Sequence, residues 1–283
     1  MKVTLGEGNT PLLHAPRLSE RFGVDLWLKW EATNPTGSFK DRGMNVAVAY
    51  AIEDGAHTIV CASTGNTAAS CAAYAARAGL TAIIVVARGA AAGPKLSQVR
   101  AVGGRIVEVD GSFSDAFHHA EALGAQAGHA LVNSTNPHRI EGQKTAAFEI
   151  LDQLGGMPDV LTLPYGGGGN TRAYALGFQE RTGTLPRLHP VQAADRAGTV
   201  ASAIRIVEPV HRADLEEVVA ASGGAVLTVD DAAILAARDL LGSQEGLYCE
   251  PASAAGIAAL PQSAKPGERV VCVVTGHGLK DPA

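Results

Sequence analysis

His57-Thr58-Ile59-Val60-Cys61-Ala62-Ser63-Thr64-Gly65-Asn66-Thr67 passes from a short β-branched run through a hydroxyl-rich turn into an Ala-rich stretch that reaches Arg77 and stops at Gly79. A run of that kind is a strand buried on both faces, and an Ala-rich stretch closed by Gly is a helix. The succession repeats outward along the chain. Further strands are expected at Thr81 to Val86, Arg105 to Val109, Val160 to Leu163 and Arg269 to Val274, and further helices at Ser114 to Ala127 and Asn170 to Arg181, which stop at Gly128 and Gly183. Strands alternating with helices predict an α/β fold with largely parallel sheet and helices on both faces. Two turn-rich seams, at Ala32 to Gly37 and Asn133 to Pro137, divide it. They predict a small domain over 33–138 inserted into a larger one made of 1–32 and 139–283.

Composition narrows the function. With 46% hydrophobic and 18% charged residues in 283, the chain is a folded globular protein. A net charge of -5 supplies no basic field for nucleic acid or anionic lipid, and 5% aromatics is too few for base-stacking platforms. A small-molecule ligand is the expected partner. No apolar run reaches the roughly 20 residues of a membrane-spanning helix, and the start at Met1 lacks the apolar core of a secretory signal, so a cytoplasmic enzyme is expected. Cys61, Cys71, Cys249 and Cys272 lie in Ala/Val-rich surroundings without CxxC spacing and read as buried free thiols. His118-His119 on a helix point about a hundred degrees apart, so no metal site is expected.

Three segments follow strands or open helices and carry chemistry. Ser63-Thr64-Gly65-Asn66-Thr67 admits two readings, a helix N-cap cluster or an anion site built from hydroxyls and backbone N–H groups. Pro164-Tyr165-Gly166-Gly167-Gly168-Gly169-Asn170 lets consecutive peptide N–H groups curl round a phosphate beside a helix N-terminus. It matches neither G-x-G-x-x-G nor G-x-x-x-x-G-K-[ST], which disfavours dinucleotides and nucleoside triphosphates. Asn34-Pro35-Thr36-Gly37-Ser38-Phe39-Lys40-Asp41-Arg42-Gly43 sets a lysine at the start of a helix, where the dipole and Arg42 disfavour its ammonium form and make it a nucleophile toward an aldehyde. A nucleophilic lysine, a glycine cup and a Ser/Thr/Asn turn are what pyridoxal 5'-phosphate and an amino acid jointly require. The last strand leads into Thr275-Gly276-His277-Gly278-Leu279-Lys280-Asp281-Pro282, where a hydroxyl is available to a ring nitrogen.

These segments, with Arg139-Ile140-Glu141-Gly142-Gln143-Lys144-Thr145 and Glu250-Pro251-Ala252-Ser253-Ala254, resemble the threonine synthase family within the tryptophan-synthase-β-like, fold-type II pyridoxal enzymes. The resemblance implies two open, mostly parallel sheets, an active site in the interdomain cleft, and a homodimer. It implies that Lys40 is the Schiff-base lysine, that Phe39, Asn66, Gly166, Gly167, Gly168, Gly169, Asn170 and Thr275 bind the cofactor, with Asn66 at O3' and Thr275 at the pyridine nitrogen, and that Glu250 to Ser253 shape the floor beneath it. Ser63, Thr64 and Thr67 are implied to hold the substrate carboxylate, and Asn133, Ser134 and Arg139 its phosphate. The implied activity is a lyase reaction on an amino-acid substrate, O-phospho-L-homoserine going to L-threonine. Gly167 stands where the family commonly carries Asn, so elimination or replacement on another amino acid, as in a threonine/serine dehydratase or a specialised synthase, is the alternative.

Overall fold

The computed structural model describes residues 3–90 and 93–281. Met1 and Lys2 at the start, and Pro282 of the last motif, lie outside the described residues. The chain divides into two compact units, one made of Met1–Glu7, Asn34–Thr36 and Lys40–Gln143, the other of Gly8–Thr33, Gly37–Phe39 and Lys144–Ala283.

Ten strands are found among the described residues: β1 (Leu12–His14), β2 (Asp25–Trp30), β3 (Thr58–Ala62), β4 (Thr81–Ala87), β5 (Arg105–Val109), β6 (His129–Leu131), β7 (Val160–Pro164), β8 (Arg187–Ala193), β9 (Leu227–Val229) and β10 (Arg269–Val274). The first unit holds a parallel four-stranded sheet in the order β5-β4-β3-β6. All of β3 is buried, because helices cover both faces of the sheet. On one side Met44 and Val48 of the helix Lys40–Glu53 pack with Cys71 and Tyr74 of the helix Asn66–Arg77, while Ala116 and Ala120 of the helix Phe113–Gly124 lie on the other.

The second unit holds a six-stranded sheet in the order β1-β2-β10-β7-β8-β9, parallel except for β1. Central β10 shows the period of two that a doubly covered strand requires: Val270, Cys272 and Val274 enter one apolar cluster, Val271 and Val273 the other. All four cysteines are buried free thiols. Among the described residues, no helix is long and apolar enough to cross a membrane.

Two departures from the expected elements have physical causes. β2 reads Asp-Leu-Trp-Leu-Lys-Trp, without the β-branched signal, yet Lys29 within it is fully buried. Its ammonium donates to the Thr10 carbonyl at 2.7 Å, Glu149 Oε2 at 2.7 Å and Gln153 Oε1 at 2.9 Å, which offsets the cost of burying the charge. The helix expected to run to Ala127 ends at Gly124, where a Cβ would lie 2.8 Å from that of Leu131. The chain must turn there into β6. At its start this helix has a capping box between Ser112 and Asp115.

Glycine sets the approach of the helix Lys40–Glu53 to His138–Gln143. A Cβ on Gly43 would stand 2.7 Å from the Arg139 carbonyl oxygen and 2.8 Å from Gln143 Nε2. Gly43→Ala therefore forces these helices apart and is expected to cost about 1–3 kcal/mol, read as a lower urea midpoint at unchanged slope.

The N-terminal segment is tied down through Glu7. Its carboxylate accepts from Thr4 Oγ1 at 3.0 Å, from the Leu5 N–H at 3.0 Å, from Tyr74 Oη at 2.6 Å and from Asn45 Nδ2. Burial pushes this carboxyl up, but the Tyr74 hydroxyl and the backbone donors outweigh it, so the net shift is downward. A carboxyl lowered by folding stabilises the native state above its unfolded pKa and loses that contribution as pH falls through the folded value. Urea midpoints should thus fall on acidification below the ordinary carboxylate range, and Glu7→Gln should flatten that dependence; an unchanged profile in the variant would refute the assignment.

Candidate active site

In the first unit, Lys40 opens its helix and is half-buried. The next residue, Asp41, is fully buried. Its carboxylate accepts the Thr36 N–H at 2.7 Å, the Thr36 hydroxyl at 2.6 Å and the Ser70 hydroxyl at 2.6 Å. Asp41 thereby fastens the turn before Lys40, the helix that Lys40 begins, and the helix Asn66–Arg77 to one another. Buried Tyr74 lies nearby, its phenol pushed far up by burial and by the negative charges of Asp41 and Glu7.

The helix Asn66–Arg77 starts immediately after the hydroxyl-rich turn. Its N-cap is Gly65, in extended backbone and with no side-chain capping bond. The N-cap reading of this cluster therefore fails. Ser63 Oγ instead accepts the Gly65 N–H at 3.1 Å, Asn66 is buried, Ser63 and Thr67 are half-buried, and Thr64 is exposed. The Thr64 and Thr67 hydroxyls thus stand at a helix N-terminus at the carboxyl end of β3, which is the form of an anion site.

The second seam lies in the same unit. The Asn133 amide is engaged at both ends by Ala62, accepting its N–H at 2.9 Å and donating to its carbonyl at 2.8 Å, which fixes the end of β3 just before Ser63. Ser134 is half-buried. Arg139 is 1% exposed, yet only its Nη1 finds an acceptor, the Val132 carbonyl at 3.3 Å. Nε and Nη2 are buried without a partner among the described residues. Burial pushes this guanidinium below its ordinary value. A buried cation with two unsatisfied donors is a pair of hydrogen bonds awaiting an anion.

In the second unit, Gly166 to Gly168 turn between β7 and the helix Gly169–Thr182. Gly168 has φ +91°, open to glycine and costly to other residues. A Cβ on Gly166 would stand 3.2 Å from the Ala203 carbonyl oxygen. The carbonyls of the turn face protein: Gly166 accepts Arg196 Nη1 at 3.4 Å, Gly167 the His211 N–H at 3.0 Å, and Gly168 the Arg172 N–H at 3.2 Å. No acceptor is found among the described residues for the N–H groups of Gly167, Gly168 and Gly169. Asn170 Nδ2 and Thr171 Oγ1 are likewise buried and unsatisfied. The turn is a cluster of donors with its acceptors facing away, the form of an anion nest.

Arg196 braces this turn. Its guanidinium lies 4.3 Å from the Tyr165 ring centroid and donates to the Ile206 carbonyl at 2.7 Å. Thr275, directly after β10, is 4% exposed, and its carbonyl accepts the Phe39 N–H at 3.0 Å. Ser38 pairs with Gly276 in an isolated antiparallel bridge, and its hydroxyl is buried without a partner among the described residues.

Sequence reading missed several of these contributors. Asp41 carried a signal, an acidic residue directly after the lysine, but its three donors come from a turn and a distant helix. Thr171 follows the glycine turn and was legible only as helix. Arg196 and His211 act from remote segments and left no local pattern. Among the described residues no His/Cys/Asp/Glu cluster with metal-binding geometry is found.

Comparison with known proteins agrees with this arrangement. The sequence profile of the family described as "Pyridoxal-phosphate dependent enzyme" matches residues 3–276. A threonine synthase of Halalkalibacterium halodurans is 48% identical over 300 residues, covering 99% of this chain and 85% of that protein. A threonine synthase of Mycobacterium tuberculosis is 47% identical over 302 residues, covering 99% and 84%. Among solved structures, a T.th. threonine deaminase superimposes with a TM-score of 0.84 at 25% identity, covering 98% and 94% of the two chains. With a donor-lined glycine turn, a helix-opening lysine and full-length similarity in hand, the chain belongs to the pyridoxal-phosphate dependent enzymes.

Proposed function

We propose that this enzyme is a threonine-synthase-like lyase that converts O-phospho-L-homoserine and water to L-threonine and inorganic phosphate. The observation that carries this reading is buried Arg139, whose unpaired Nε and Nη2 suit the phosphate of such a substrate. Threonine synthases at 42–48% identity across the whole chain support it.

The residues fit the cofactor. The N–H groups of Gly167 to Gly169, with Gly166, Asn170 and Thr171 at a helix N-terminus, suit its phosphate, and a side chain at Gly166 would press on the Ala203 carbonyl and Ile206 beside the turn. Thr275 would meet the pyridine nitrogen, Asn66 the O3' oxygen and Phe39 the edge of the ring, while Lys40 would hold the aldehyde carbon covalently. Bound there, pyridoxal phosphate supplies an electron sink for negative charge developing on substrate carbon.

The chain's own groups then divide the work. Ser63, Thr64 and Thr67 bind the substrate carboxylate with the N–H groups of their turn. Lys40 Nζ, positioned by the Asp41 clamp and freed when the substrate amine takes its place on the aldehyde carbon, would take the proton from Cα, give it up to the conjugated substrate–cofactor system, and then take one from Cβ. Arg139 and Ser134 hold the phosphate as it leaves Cγ, and the Asn133 amide keeps the carboxyl end of β3 in place beside them. Arg139 lowers the cost of the departing dianion, so its bonds matter most in the transition state. We place the enzyme in the cytoplasm, supported by its buried free thiols, and read it as a homodimer on the family resemblance alone.

A second reading, elimination or replacement on a different amino acid, draws on Gly167, where no side-chain donor assists the leaving group. Phosphate release from O-phosphohomoserine, compared with ammonia release from threonine and serine, separates the two; inactivity on the first alone would overturn the substrate. Lys40→Ala is expected to abolish both turnover and the visible absorption of the lysine-linked cofactor. Arg139→Gln should lower kcat/KM for the phosphorylated substrate by about a hundredfold, the scale of losing charge-assisted hydrogen bonds worth about 3 kcal/mol. Equal losses on a substrate without phosphate would reduce Arg139 to a packing residue.

A further inference from the structure

We propose that Ser253 fixes the direction of the hydrogen bond that Thr275 makes to the cofactor's ring nitrogen, and thereby keeps that nitrogen unprotonated. The inference rests on the reading above in one respect, that Thr275 faces the pyridine nitrogen. Ser253 is then a positioning residue acting through Thr275.

Ser253 lies in the short 3-10 helix Pro251–Ala254 and is 1% exposed. Its Oγ accepts the Gly276 N–H at 2.8 Å and stands 2.9 Å from Thr275 Oγ1. Each hydroxyl has a single hydrogen to give. The other acceptor within reach of Ser253 among the described residues is the Gly276 carbonyl, 3.3 Å away, which also accepts the Glu250 N–H at 3.1 Å on its second lone pair. A separation of 3.3 Å exceeds the 2.5–3.0 Å range of a good O–H···O bond, whereas 2.9 Å lies inside it. The Ser253 hydrogen is therefore best directed to Thr275. Thr275 then accepts from Ser253, and its own hydrogen points outward to an acceptor.

An outward O–H requires a lone pair on the ring nitrogen. A protonated nitrogen would meet hydrogen against hydrogen, in a buried setting where a misdirected donor is costly. Apart from the Gly276 N–H bond to Ser253, which the substitution gives up, the backbone here is pinned by other groups: the Thr275 carbonyl holds the Phe39 N–H, Gly276 bridges Ser38, and the Gly276 carbonyl holds the Glu250 N–H. Removing the Ser253 hydroxyl should leave Thr275 in place while freeing its rotor. Thr275 then accepts from a protonated nitrogen as readily as it donates to a neutral one.

The test uses holoenzyme loaded with pyridoxal phosphate labelled with 15N in the ring, the 15N chemical shift being followed against pH. Wild type should keep the shift of an unprotonated nitrogen throughout the range in which the protein stays folded. Ser253→Ala should bind the cofactor through Lys40 and, on acidification within that same range, move to the shift of a protonated nitrogen, its proton affinity raised by about tenfold or more. Ser253→Thr, which restores a hydroxyl, should return the wild-type behaviour. A purely structural role would alter cofactor affinity or thermal stability without moving the titration. A protonated nitrogen in wild type near neutral pH, or a Ser253→Ala titration that coincides with wild type, overturns the proposal. Should Ser253→Ala not fold, Ser253→Cys replaces it: its weaker donor predicts an intermediate upward shift, and no shift refutes the role. Absence of the lysine-linked band in wild type would instead defeat the functional reading itself, so the two failures are distinct.

Discussion

A carboxylate shut away from water needs every lone pair answered, and Asp41 is answered by the Thr36 N–H, the Thr36 hydroxyl and the Ser70 hydroxyl. Those three bonds join the turn at Asn34–Thr36, the helix that begins at Lys40 and the helix that begins at Asn66. Without them each would be free to settle on apolar packing alone, which tolerates sliding. Charge-assisted bonds of 2.6–2.7 Å do not tolerate it. The clamp is costly to form only if incomplete.

The second unit solves a related problem by the opposite means. Where Asp41 gathers donors onto one acceptor, the glycine turn commits its carbonyls to Arg196, His211 and Arg172 and leaves the N–H groups of Gly167 to Gly169 without an acceptor among the described residues. Glycine is required because Gly168 sits at φ +91° and because a Cβ on Gly166 would press on the Ala203 carbonyl. Arg196 completes the arrangement by lying over Tyr165 while gripping the Ile206 carbonyl, so that one cation holds two loops in register. Arg139 in the first unit differs from Arg196 in the one respect that matters, since two of its donors remain open.

Much of this was legible locally. The run Val60-Cys61-Ala62 and the Ala-rich stretch after it are a strand and a helix in the structure, and the expected strands near Thr81, Arg105, Val160 and Arg269 are present. Periodicity is a property of neighbouring residues, so it survives without knowledge of the fold. β2 and β8 escaped notice because Trp27, Lys29, Trp30, His189 and Pro190 mask the pattern, and their placement relies on partners such as Glu149 far along the chain. The hydroxyl cluster at Ser63 to Thr67 was visible, but whether it capped a helix was not, since that depends on where the helix begins by a margin of one residue.

The sequence by itself determined the alternation of strand and helix, three candidate loops for the chemistry, and the resemblance that points to the cofactor, because each is written in contiguous residues and their turn preferences. Only the tertiary structure decided which polar groups are already satisfied: that Asn133 is engaged by Ala62, that Arg139 keeps two donors open, and that Ser253 turns toward Thr275. Burial and hydrogen-bond direction depend on segments brought together by chain closure, and the same side chain is a packing element or a chemical group according to who meets it there.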